Sequence, residues 1–115
     1  MIELKSISQE GFHYRQLHNK PKDDHIRQAQ VYMRCLDLED GFVIYENKNN
    51  QQILPIYMKR DDVYIDKLFK KWSKWYDAFL DDKLPVRPYK ITSPKCQNCD
   101  AKAFCWGDNE ESVKL

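Results

Sequence analysis

The sequence predicts an α/β fold, a small sheet of three strands covered by two main helices. Three observations point there. Residues 1–8, MIELKSIS, alternate apolar and charged side chains, the period of a half-exposed strand. Two longer stretches, Pro21 to Leu38 and Asp62 to about Asp82, repeat apolar residues at helical spacing. Between them, GFVIYENK and ILPIYMKR are β-rich runs joined by the polar loop Asn47 to Gln52, which reads as a hairpin.

Composition sets bounds on these elements. With 115 residues and 13.9 kDa the chain builds one small domain with a modest core. Nineteen basic against eighteen acidic residues leave a formal charge of +1, so any nucleic-acid surface has to come from local clustering. No apolar run is long enough to span a membrane. The start, MIELKSISQEGF, has the pattern of neither a signal nor a transit peptide. A soluble protein of the cytoplasm is therefore the expectation, where clustered cysteines read as metal ligands before disulfides.

Taken in order, Met1–Ser8 forms the first strand, at an edge or half-exposed. Gln9 to Lys20 has no clean period and reads as a loop with a turn of helix at most. The first helix then runs from Pro21, with Asp23 and Asp24 favouring its first turn and Asp40-Gly41 ending it. At about 100° per residue it places His25, Gln28 and Tyr32 within roughly 60° of one another. Ile26, Ala29, Met33 and Leu36 lie beside them, and Arg27, Gln30 and Arg34 point the other way. Polar groups on a face that should be buried either form a satisfied core network or line a site.

The next strand, Phe42–Glu46, suits a largely buried position, and Pro55 puts its partner, Ile53–Tyr57, on an edge. If the first two strands are parallel, their connection is a right-handed crossover. Asp61 or Asp62 caps the second helix, whose broad apolar face includes Ile65, Trp72, Trp75 and Phe79. Lys67, Lys70, Lys71 and Lys74 fall on the opposite side, either as a solvated face or as a track for a phosphate backbone. Pro85 stops the helix.

Three of the four cysteines, Cys96, Cys99 and Cys105, form a C-x2-C-x5-C array. Two thiolates two residues apart can share one metal, and a third shortly after closes most of a site for zinc or an iron–sulfur cluster. Both normally take four ligands. Cys35 is either the fourth or a small buried hydrophobe. This gives a core over residues 1–94 and a cysteine-rich knuckle over 95–115.

The order ELK, HxxQxxxY, IYENK and a terminal C-x2-C-x5-C followed by Trp resembles the PD-(D/E)xK nuclease superfamily, in its RecB-like branch of CRISPR-associated exonucleases and their phage relatives. The resemblance implies a partial restriction-endonuclease-like core. It makes Glu3-Leu4-Lys5 the E-x-K motif, with Glu3 and the Leu4 carbonyl holding Mg²⁺ or Mn²⁺ and Lys5 orienting or deprotonating the attacking water. Gln28 and Tyr32 become the Q-x-x-x-Y motif that contacts DNA, with His25 ahead of it. Cys96, Cys99 and Cys105 become ligands of a 4Fe-4S cluster, with Zn²⁺ as the alternative.

In that family, E-x-K sits mid-chain, after the segment that carries a metal-binding Asp and a first cluster cysteine. This chain starts two residues before Glu3, so the resemblance covers the C-terminal half of such a nuclease. It implies a DNA exonuclease of a bacterial or phage-infected cell that is inactive as a lone chain. A second polypeptide or a homo-oligomer would supply the missing half and cover an apolar surface left beside the first strand. Two other readings are a catalytically inactive DNA-binding or regulatory module and a zinc-stapled interaction domain.

Overall fold

The alternation of the first residues becomes an edge strand in the computed structural model, which describes residues 1–107. The chain divides into two units, Met1–Lys67 and Leu68–Leu115. Of the predicted cysteine-rich tail, residues 108–115 lie outside the described residues.

The first unit holds β1 (Ile2–Ile7), α1 (Gln9–His18), α2 (Asp23–Cys35), β2 (Asp40–Asn47), β3 (Ile53–Lys59) and the first turns of α3 (Asp62–Leu80). The sheet order is β1-β2-β3. β1 runs parallel to β2, with Glu3 opposite Val43 and Lys5 opposite Tyr45. β2 and β3 form the antiparallel hairpin, with Val43 opposite Ile56 and Pro55 on the edge strand. Parallel pairing brings the start of β1 against Gly41, where a Cβ would lie 2.6 Å from the Met1 carbonyl oxygen. Only glycine leaves room for the Phe42 N–H to donate to that oxygen at 2.8 Å.

One face of the sheet carries the core. Val43, Tyr45 and Ile56 pack with Phe12 of α1 and Ala29 of α2, and Ile7, Leu54 and Met58 close around them. The other face is bare and apolar. Ile2 is 66% and Leu4 70% exposed, and Phe42, Ile53 and Tyr57 are exposed beside them.

Five sequence expectations change. Gln9–His18 is a helix, not a loop: the Ser8 hydroxyl accepts the Gly11 N–H at 3.3 Å as its cap, and Phe12 is its one buried residue, too sparse an apolar signal to show a period. α2 ends at Cys35 with Asp37 in the left-handed region, before Asp40-Gly41, which belong to β2. β2 is buried on one side only, through Gly41, Val43, Tyr45 and Asn47. Cys35 is exposed, not a buried hydrophobe.

Gln30, expected to point outward, is also buried. Its amide donates to the Lys59 carbonyl at 2.9 Å and its oxygen accepts the Asp61 N–H at 2.8 Å. Those are the end of β3 and the residue before α3, so one side chain closes that junction. Asp61 in turn caps α3, accepting the Tyr64 N–H at 2.9 Å.

The second unit contains the rest of α3 and two short helices, α4 (Pro94–Gln97) and α5 (Lys102–Trp106). Ser93 caps α4 by accepting the Cys96 N–H at 3.2 Å. Arg87 donates twice to the Cys105 carbonyl, at 3.0 and 2.6 Å, and lies over the Trp106 ring. None of the described residues of this unit is fully buried. No helix among the described residues is long and apolar enough to cross a membrane.

Candidate active site

The period-2 geometry of β1 turns Glu3 and Lys5 toward the helices, with Ile2 and Leu4 on the bare face. Lys5 Nζ meets Glu3 Oε1 at 2.9 Å and donates to Gln28 Oε1 at 2.7 Å. An ammonium has no acceptor, so the Gln28 amide must present its oxygen to Lys5. That turns Nε2 outward, where it donates to the Tyr32 hydroxyl at 2.9 Å. A continuous chain of hydrogen bonds therefore links Glu3, Lys5, Gln28 and Tyr32, two residues from a strand and two from a helix. Glu3, Lys5 and Gln28 are half-buried and Tyr32 is exposed, so the row opens to solvent at one end.

His25, one turn before Gln28, sits beside this row. Its Nδ1 lies 2.7 Å from the Tyr45 hydroxyl. Burial, then the positive charges of Lys5 and Lys22, hold its pKa below the ordinary histidine range; Asp24 acts against them and Arg15 with them. Burial likewise pushes the Tyr45 hydroxyl up. Sequence reasoning missed Tyr45 as part of this neighbourhood. The available signal was its spacing, two residues beyond Val43 and so on the same face of a strand.

The carbonyl direction also alternates along a strand. The Met1 and Ile7 carbonyls accept from Phe42 and Lys48 of the β2 side, so that of Leu4 points to the open edge. Glu3 and Leu4 thus offer one carboxylate, already paired with Lys5, and one free carbonyl. A hard divalent cation takes six or more oxygen ligands, few of which are in place here. Among the described residues no group of three or more His, Cys, Asp or Glu is placed to hold a metal ion. The residues present do not by themselves make a Mg²⁺ or Mn²⁺ site.

The same holds for the cysteines. Cys96 lies on α4, Cys99 in the turn after it and Cys105 on α5, none of them in a disulfide. The Cys99 N–H returns to the Cys96 carbonyl at 3.2 Å, a tight turn between the first pair. Thiolates suit zinc or iron–sulfur clusters, yet the three do not converge on one position.

Lys67 closes the first unit, and Lys70, Lys71 and Lys74 open the second; all four are exposed. Lys71 Nζ stands 4.8 Å from the centre of the Trp75 ring. No model of a known protein family matches the chain, and no curated protein matches it in sequence.

Proposed function

We propose that this chain is part of a RecB-like, metal-dependent DNA exonuclease with a restriction-endonuclease-like core, acting in the cytoplasm of a bacterial or phage-infected cell. One observation carries the reading: the E-x-K residues Glu3 and Lys5 and the Q-x-x-x-Y residues Gln28 and Tyr32 join in a single hydrogen-bonded row. In this reading Glu3 and the Leu4 carbonyl would hold one side of a Mg²⁺ or Mn²⁺ ion whose remaining ligands the described residues do not supply, and the ion would contribute Lewis-acid charge at a phosphodiester. Lys5 holds the Glu3 carboxylate in place and keeps a further N–H free for water. Gln28 and Tyr32, with His25, bind the DNA strand. A second acidic ligand comes from another polypeptide or another copy, seated where β1 is open and its outer face apolar. Cys96, Cys99 and Cys105 would hold a 4Fe-4S cluster or Zn²⁺.

The pairing of a single carboxylate with Lys5 favours a second reading, an inactive DNA-binding or regulatory module. Reconstitution separates the two. The chain is mixed with a polypeptide carrying a strand-borne Asp, and cleavage of linear DNA is followed with and without Mn²⁺. The nuclease reading expects metal-dependent cutting that Glu3→Ala and Lys5→Ala abolish while circular dichroism stays unchanged. Equal cutting by the Lys5→Ala chain would sink the site assignment. Binding without cutting in every combination leaves the module.

A further inference from the structure

Tyr45 is fully buried, and its hydroxyl has two neighbours. The Lys22 backbone N–H reaches it at 3.0 Å, and His25 Nδ1 stands at 2.7 Å. A backbone N–H can only donate, so Lys22 occupies one lone pair of the oxygen. The hydroxyl proton then needs an acceptor of its own, since buried donors in folded proteins are nearly always paired. Were His25 Nδ1 also a donor, that proton would be left without a partner among the described residues. A neutral imidazole carries its proton on one nitrogen, and the bond made by the other decides which.

We infer that Tyr45 donates to His25 Nδ1 and so locks His25 as the neutral Nε2–H tautomer, leaving one N–H beside Lys5 and Gln28 to bind a phosphate oxygen of a nucleic-acid strand. The choice of ligand rests on the nuclease reading above; the tautomer does not. Three placements support it. Tyr45 and Lys5 are register partners on adjacent strands, and His25 and Gln28 stand one turn apart on α2. His25 is half-buried, and no described residue hydrogen-bonds its Nε2. The charges of Lys5, Lys22 and Arg15 discourage an imidazolium and suit an anion at the same place. Tyr45 is thus a positioning residue, and His25 contacts the ligand as a donor.

Nitrogen-15 NMR of the histidine rings in the full chain, near neutral pH, reads the tautomer directly. The expected spectrum has a bare Nδ1 and a protonated Nε2 at His25. Tyr45→Phe keeps the ring and should turn the single tautomer into an averaged mixture. A protonated Nδ1 in the natural chain, or an unchanged tautomer in folded Tyr45→Phe, overturns the lock. A short single-stranded oligodeoxynucleotide should then shift the Nε2–H resonance. Should Tyr45→Phe fail to fold, His25→Gln and His25→Ala decide by affinity for that oligonucleotide. Glutamine, whose amide reaches the Nε2 position, should stay within about twofold, and alanine should lose about tenfold, the scale of one hydrogen bond to a charged group. Equal losses in both overturn the proposal. A fixed tautomer that ignores the oligonucleotide leaves the lock standing and overturns His25 as the phosphate donor, while the nuclease reading itself stands or falls on the reconstitution above.

Discussion

The two units of this chain are held together in different ways. Residues 1–67 own a core: Phe12, Ala29, Val43, Tyr45 and Ile56 are buried together, and buried Gln30 satisfies two backbone groups at once. Residues 68–107 have no fully buried member, and Tyr76, Phe79 and Leu80 of α3 stay exposed. Their contacts are local, among them the Ser93 cap, Arg87 on the Cys105 carbonyl and Gln97 on the Ile91 carbonyl. A segment of that size without a core ordinarily needs a disulfide, a metal or a partner. None of its described cysteines forms a disulfide, so the contrast is between a unit with a buried core and one whose described residues lack it, which is where the proposed metal at the cysteines would matter most.

If the cysteines hold the proposed cluster or zinc, removing it should break this comparison most sharply. Structural thiolate sites supply on the order of 10 kcal/mol of folding free energy, so chelation of the purified protein should unfold residues 68–107 and leave residues 1–67 intact. Limited proteolysis with mass spectrometry checks it: new cuts should appear beyond Leu68 only. If cuts spread evenly over both units, the stabilities are not independent; if none appear, the cysteines are not what orders the second unit.

Within the first unit, Gln30→Ala should cost roughly 2–4 kcal/mol, because it leaves both the Lys59 carbonyl and the Asp61 N–H without a partner in a partly buried junction. Urea denaturation followed by tryptophan-independent circular dichroism reads the loss. An effect below about 0.5 kcal/mol would mean that water replaces both bonds. Gln30 also marks the limit of what was legible in the sequence. The strand alternation of residues 2–7, the hairpin and α3 were readable because each keeps a clean period. Gln30 was not, because its burial answers unpaired groups at the end of β3 and ahead of α3, which no spacing within α2 reveals. The same holds for α1, anchored by Phe12 alone. The row of Glu3, Lys5, Gln28 and Tyr32 was legible as two separate motifs; that Lys5 joins them depends on the pairing of β1 with β2.

Acid should weaken the first unit next. His25 is held below its ordinary pKa in the fold, so the unfolded chain binds a proton more readily near pH 6.5. The stability from burying a neutral ring is therefore complete above about pH 6.5 and is lost as pH falls toward the depressed folded value. Denaturation midpoints measured from pH 8 down to pH 5 should decline, and His25→Gln should flatten that part of the profile. A natural chain that is level across this window would show that the ring titrates as freely in the fold as outside it.

The smallest effect belongs to the lysines of α3, and it tests whether the second unit contributes to binding at all. Lys70 and Lys74 are exposed, so Lys70→Ala with Lys74→Ala should leave stability within about 0.5 kcal/mol, as surface substitutions do. Each phosphate contact that a lysine makes releases about one counterion, and the slope of log affinity against log salt falls by roughly 0.7 per contact on a single strand. The double variant should therefore bind a single-stranded oligonucleotide more weakly at low salt, with a slope shallower by about 1.4, and the two proteins should converge as salt rises. Tyr32→Phe, which removes a hydroxyl at the open end of the site row and no charge, should weaken binding by a similar factor at every salt concentration. Parallel salt plots for the lysine variant and the natural chain would make the stripe a solvated face, and the DNA contact proposed above would then have to rest on the first unit alone.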